Sequence, residues 1–274
     1  MPLILFTSPK GGVGKTTLTA HIAAILVKRG HRVLALDLDP QNALRLHLGV
    51  SIREEAGYAH ALDQQPRWQS ATIATPSGVR LLPFGTSEPR RVLEVGMALL
   101  DRPDLLIVPV REMLADPGLF VIVDTPPGPS PALLALTSLA DLVITVLLAD
   151  VGSAALIPQI LSGQVYGRGT MAARVGDRTV VLMNQVELDS PVSAAVLDSA
   201  MNAFGPRLLG AVCWDDALAE ALVNRRLLTS GNGGAAEDLM LLADSLLARV
   251  RPPATPAPVS ETGSFPALTE WGLR

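Results

Sequence analysis

"SPKGGVGKTT", Ser8 to Thr17, follows the apolar run "LILFT" (3–7) and leads into a helical pattern, and that placement decides the fold. A glycine-rich turn between a buried strand and a helix brings backbone N–H groups and the positive end of the helix to one point, which is what a phosphate needs. Gly11, Gly12 and Gly14 let the backbone approach, Lys15 is placed to reach β- and γ-phosphates, and the Thr16 hydroxyl can ligate Mg²⁺. A glycine-rich turn with incidental lysines is the alternative, and the strand before it and the helix after it weigh against that. The usual pattern also has a glycine five positions before Gly14, where this chain has Pro9. A second lysine, Lys10, stands beside it.

Outward from the loop, strand-like and helix-like segments alternate. Strands are expected at 3–8, 31–39, 78–85, 119–125, 141–149, 178–184 and 207–214, mostly as short continuous apolar runs of the kind buried on both faces. Helices are expected over 16–29, with Leu18, Ile22, Ile25 and Leu26 on one stripe, from Ser190 to Gly205, and after Asp215. The alternation predicts an α/β fold, a mostly parallel central sheet flanked by helices on both faces in a single domain over 1–250. Ligands then belong at the carboxyl ends of the strands. Two stretches break the pattern: the glycine-rich 162–177, read as an exposed loop or partner surface, and the proline-rich 251–274, read as a disordered tail.

The chain has 274 residues, a net charge of −4 and 49% hydrophobic residues. Its mean hydropathy is +0.35, yet the longest apolar run, "LVITVLLA" (142–149), is bounded by Asp141 and Asp150 and is far below the ~20 residues of a membrane span. No basic leader precedes the first strand, and Cys213 is the single cysteine, so a cytoplasmic protein without direct membrane insertion is expected. Of 22 basic residues only Lys10, Lys15 and Lys28 are lysine. Two of them sit in the loop, where a compact ammonium fits among phosphate oxygens better than a broad guanidinium.

Two acidic sites fall at strand ends. "VLALDLDPQ" delivers Asp37 and Asp39, and "FVIVDTPPG" ends on Asp124 before a sharp turn. Either alone could merely cap a turn. Together with the loop, "KGGVGKTT", "DLDPQ" and "VIVDTPPG" resemble the deviant Walker A ATPases of the ParA/MinD class, a P-loop NTPase family. The resemblance implies ATP or ADP with Mg²⁺ as ligands and a homodimer sandwiching two ATP. It implies that Lys10 reaches the phosphates held by the other subunit, that Asp39 orients the attacking water, that Asp124 serves the metal with Thr16, and that Asn184 reads adenine. The nucleotide-binding set is then Gly11, Gly12, Val13, Gly14, Lys15, Thr16, Thr17 and Asn184. Where family members often carry a proline near the base, this chain has Trp214 and Asp215.

One cysteine does not supply the paired thiolates of a metal-cluster carrier, and the proline-broken tail is not a basic amphipathic membrane helix. Arg168, Arg174, Arg178, Arg225 and Arg226 are candidates for a basic cluster, but on a net acidic chain scattered arginines read as a solvated face and specific DNA binding is not expected. The middle segments "LRLHLGV" (44–50), "GYAHALDQQPRWQSA" (57–71) and "GVRLLPFG" (78–85) resemble the cellulose-biosynthesis branch of the family, the BcsQ proteins. That resemblance implies a slow ATP-hydrolysing switch serving a bacterial cellulose synthase complex through its accessory subunits, recruited to the inner membrane face by them. The alternative is a switch for DNA partition or for positioning another structure. Trp68 and Phe84 can also be plain core aromatics.

Overall fold

The strands are β1 (Leu3–Thr7), β2 (Arg32–Asp37), β3 (Ile73–Ala74), β4 (Arg80–Leu82), β5 (Leu119–Asp124), β6 (Leu142–Leu148), β7 (Thr179–Val186) and β8 (Leu208–Cys213). In the computed structural model they form one sheet in the order β3-β4-β2-β5-β1-β6-β7-β8; the residues described are 2–60, 62, 68–166 and 178–250. Every neighbouring pair is parallel except β3 with β4. The α/β expectation and all seven expected strands are borne out. The eighth, β3, is only two residues long, too short for any period to show. The tail 251–274 and the loop residues 167–177, with Arg168 and Arg174, lie outside the described residues.

Side-chain alternation along the strands builds a core on each face. Ile4 and Phe6 of β1 pack under α1 (Lys15–Lys28) with Ile22 and Leu26, and under the helix Gly234–Val250 with Leu239 and Leu246. Leu3 and Leu5 face the other way, against Leu99, Leu106 and Leu133 of the helices Pro89–Asp101, Asp104–Leu114 and Pro131–Thr137. A third cluster joins Leu147 and Met183 to Val196 and Phe204 of the helix Pro191–Phe204. Helix ends fall where the caps stand. Ser190 Oγ accepts the Ser193 amide at 3.3 Å and Asp215 Oδ1 accepts the Ala217 amide at 2.9 Å. The two helices over 89–114 have no counterpart in the sequence reading; an interior Pro109 and Pro103 between them obscure the pattern.

The middle segments close on one another. The Tyr58 and Ala59 amides donate to the Pro83 and Phe84 carbonyls, each at 3.1 Å, and the Tyr58 and Phe84 rings meet edge-on at 5.4 Å. Gly57 lies flat on the backbone of Phe84 and Gly85, where any Cβ would overlap main-chain atoms. "GYA" and "LLPFG" are therefore two halves of one contact, and Phe84 is a core aromatic as well.

Each sheet edge has a backbone amide already taken. The Thr75 amide donates to the Val79 carbonyl at 3.2 Å, folding β3 into a stub, and at the other edge Asp238 Oδ2 accepts the Cys213 amide at 2.9 Å. Among the described residues no helix is long and apolar enough to cross a membrane.

Candidate nucleotide-binding site

The loop between β1 and α1 takes its shape from two left-handed glycines, Gly12 (φ 75°) and Gly14 (φ 81°). Gly14 is the residue on which α1 starts, and a Cβ there would overlap the Asn184 amide. Val13 is buried and its carbonyl accepts Asn184 Nδ2 at 2.8 Å, so β7 fixes the loop from one side. From the other side the Gly128 amide donates to the Ser8 carbonyl at 2.7 Å, lacing the turn after β5 to the loop. A Cβ on Gly11 would touch only the Pro127 ring, at 3.8 Å. Thr17 contributes its carbonyl to His21 Nδ1 at 2.7 Å within α1.

Three expected residues meet at one carboxylate. Lys15 Nζ stands 2.7 Å from Asp124 Oδ1, and Thr16 Oγ1 donates to Asp124 Oδ2 at 2.6 Å. Asp124 is fully buried; burial raises its pKa, the Lys15 ammonium and the Thr16 hydroxyl pull the other way, and burial prevails. A hydroxyl and a carboxylate side by side are the hard oxygen donors that suit Mg²⁺, and an ammonium beside loop amides suits phosphate, so the residues present fit both groups.

Lys10 is elsewhere. Its Nζ lies 2.7 Å from Asp150 Oδ2 and 2.9 Å from Asp150 Oδ1, and both side chains are partly exposed. Burial raises the Asp150 pKa, but the Lys10 bond and two Ser153 bonds outweigh it and hold the carboxyl below its ordinary range. Asp150 was missed as a site residue in the sequence. It carries the same signal as Asp124, an acid directly beyond a buried apolar run.

Asp37 and Asp124 are register partners across β2 and β5. Burial and the Asp124 charge push the Asp37 carboxyl well above the usual carboxylate range, although it accepts the Asp39 amide at 3.0 Å and the Leu44 amide at 3.1 Å. Asp37 thus shapes the turn that presents Asp39. Asp39 itself is buried beside it and accepts the Gln41 amide at 2.9 Å.

Asn184 has one satisfied and one unsatisfied end: Oδ1 is buried without a partner. Two residues on, the Val186 carbonyl accepts the Trp214 amide at 2.9 Å. The half-exposed indole of Trp214 and the loop Val186 to Ser190 line an open cleft of about 610 Å³. The Asn184 side chain holds the loop through Val13, and Trp214 stands one strand over, directly beyond the carboxyl end of β8.

Solved structures share this fold. The MinD cell division protein of Aquifex aeolicus superposes with a TM-score of 0.70 at 21% identity, covering 92% of this chain and 99% of that one. Cyanothece apo McdA gives 0.72 at 19% identity, covering 90% and 99%. Among curated proteins, the chromosome-partitioning ATPase Soj of Thermus thermophilus is 37% identical over 142 residues, 52% of each chain. The cellulose biosynthesis protein BcsQ of Salmonella typhimurium is 32% identical over 145 residues, 52% of this chain and 56% of that one. The chain thus spans about half the length of these curated relatives in what it matches. A sequence model described as cellulose biosynthesis protein BcsQ, by contrast, matches residues 1–247, the whole sheet and its helices, and the chain belongs to that family.

Proposed function

We propose that the chain is a Mg·ATP-dependent switch that dimerises around two nucleotides, hydrolyses them slowly, and so regulates the assembly or localisation of a bacterial cellulose synthase complex. The observation that carries this reading is the convergence of Lys15 and Thr16 on the buried Asp124, at the carboxyl end of β5, with a second lysine held separately. The loop amides and Lys15 bind the phosphates. Mg²⁺ held by Thr16 and Asp124 would offset their charge. Asp39, set by the amide bonds of Asp37, orients water, and Lys10 crosses to the other subunit. The Lys10–Asp150 pair is partly exposed, and such pairs contribute little, about 0–1 kcal/mol, so Lys10 is free to change partners. The family supports the cellulose role, with recruitment from the cytoplasm to the inner membrane face through accessory subunits of the synthase.

With Mg·ATP the wild-type mass is expected to double in light scattering. Lys10→Ala is expected to bind ATP and stay monomeric; a dimer of that variant would overturn the assignment across the interface. A DNA-partition or positioning switch is the second reading, favoured by the similarity to Soj, and tight ATP-dependent gel shifts at physiological salt would select it.

On this reading the exposed Trp214 indole, at the end of the strand next to Asn184's, supplies the base with a stacking surface. Stacking on an aromatic side chain contributes about 1–3 kcal/mol, so Trp214→Ala is expected to weaken ADP binding roughly fivefold or more. Equal affinities by calorimetry would remove the indole from the site.

A further inference from the structure

We infer that a second, basic cleft at the far end of α1 binds a small phosphate-bearing anion. The cleft, about 490 Å³, is lined by Ala24, Val27 and Lys28 of α1, by His47, Leu48 and Gly49, by Pro76 and Ser77, and by Arg225, Arg226, Leu227 and Thr229. No carboxylate lines it. α1 has 14 residues, and at about 1.5 Å per residue its last turn lies roughly 20 Å from the phosphate loop. This is a separate site, and the inference does not depend on nucleotide hydrolysis.

Four observations carry it. Lys28 is the third of the chain's three lysines, in a sequence that otherwise uses arginine; its Nζ makes one long bond, 3.3 Å to the Thr229 carbonyl, and keeps two protons for a ligand. Arg225 and Arg226 stand exposed beside it. Arg225 is in the left-handed region, φ 52°, at a helix end where glycine or asparagine is the comfortable choice. An arginine there is held in a strained backbone position. Finally, His47 is 91% buried (9% exposed) at the cleft wall, and its Nδ1 has no hydrogen-bond partner. Burial, and the nearby His21, hold its pKa down to about 4, so the ring adds no charge of its own to the cleft wall.

The last turn of α1 brings its partial negative charge to the same place. Three full positive charges outweigh it. On a chain of net charge −4 this is a local reversal of sign, with Val27, Leu48, Pro76 and Leu227 as an apolar wall for an organic group. The chemistry points to a pyrophosphate or sugar-phosphate group.

The test uses the full chain with its phosphate loop saturated by Mg·ADP. Calorimetric titration with inorganic pyrophosphate, and separately with ribose 5-phosphate, is expected to reveal one further equivalent, accompanied by a shift of the His47 imidazole resonance. Arg225→Ala/Arg226→Ala is expected to weaken that binding at least tenfold, while Lys10→Ala leaves it unchanged. Tighter binding of ribose 5-phosphate identifies an organic ligand, and equal binding a free phosphate one. No second equivalent, or one that survives the double substitution, overturns the inference. So does binding of duplex DNA without pyrophosphate. If Mg·ADP itself does not bind, the nucleotide reading fails, and the difference between wild type and the double variant still decides the cleft.

Discussion

Lys15→Ala is expected to abolish ATP binding, by about a hundredfold or more, and to lower stability at the same time. The first effect follows from losing the one ammonium aimed at the phosphates from within the loop, a charged contact of about 3 kcal/mol. The second follows from what the ammonium leaves behind. Asp124 is fully buried, and removing one member of a buried pair typically costs about 3–5 kcal/mol because the other charge stays uncompensated. Asp124 has an escape, since burial already raises its pKa and it can take up a proton. A raised folded-state pKa gives stability that is full at low pH and is lost as pH rises through it. The melting-temperature deficit of Lys15→Ala against wild type is therefore expected to grow from pH 5 to pH 8. A deficit that shrinks over that range would show that Asp124 is not the group responsible.

Gly57→Ala is expected to cost about 3 kcal/mol or more, although it adds only a methyl group. Most overpacked side chains find relief by rotation, but here the obstacle is the main chain of Phe84 and Gly85, held by the amide bonds of Tyr58 and Ala59. Denaturant unfolding should show a large drop in midpoint. Tyr58→Phe at the next position removes only a hydroxyl that has no partner and should be near neutral. Wild-type stability in Gly57→Ala would mean that the two middle segments separate readily in solution.

Where backbone chemistry leaves a mark on composition, the sequence was readable. The strands announced themselves as apolar runs, the helices at Ser190 and Asp215 by their capping side chains, and the phosphate loop by glycines that only a left-handed turn requires. The structure brings Lys15 and Thr16 onto Asp124 and Asn184 onto the Val13 carbonyl of the loop. What was not readable depends on which elements end up adjacent. Asp150 meets Lys10 only because β6 lies beside β1, and Trp214 meets the Asn184 strand only because β8 pairs with β7. The two helices over 89–114 are hidden by Pro103 and Pro109, which read as breaks but sit between the helices and within the second. The basic cleft draws on four separate segments, and no single stretch contains enough of it to be seen.

The two blunted edges of the sheet bear on how copies of this chain can associate. The two-residue stub at β3 leaves little ladder for another strand to extend at one edge, and at the other a carboxylate takes the last amide of β8. Strand addition, the route to fibres and to near-permanent pairing, is thereby discouraged. In the dimer proposed above, the contacts would instead be made at the strand ends, by side chains and bound phosphates. Contacts of that kind separate without tearing backbone hydrogen bonds, so a dimer formed there can come apart as often as its ligand turns over and leave both sheets intact.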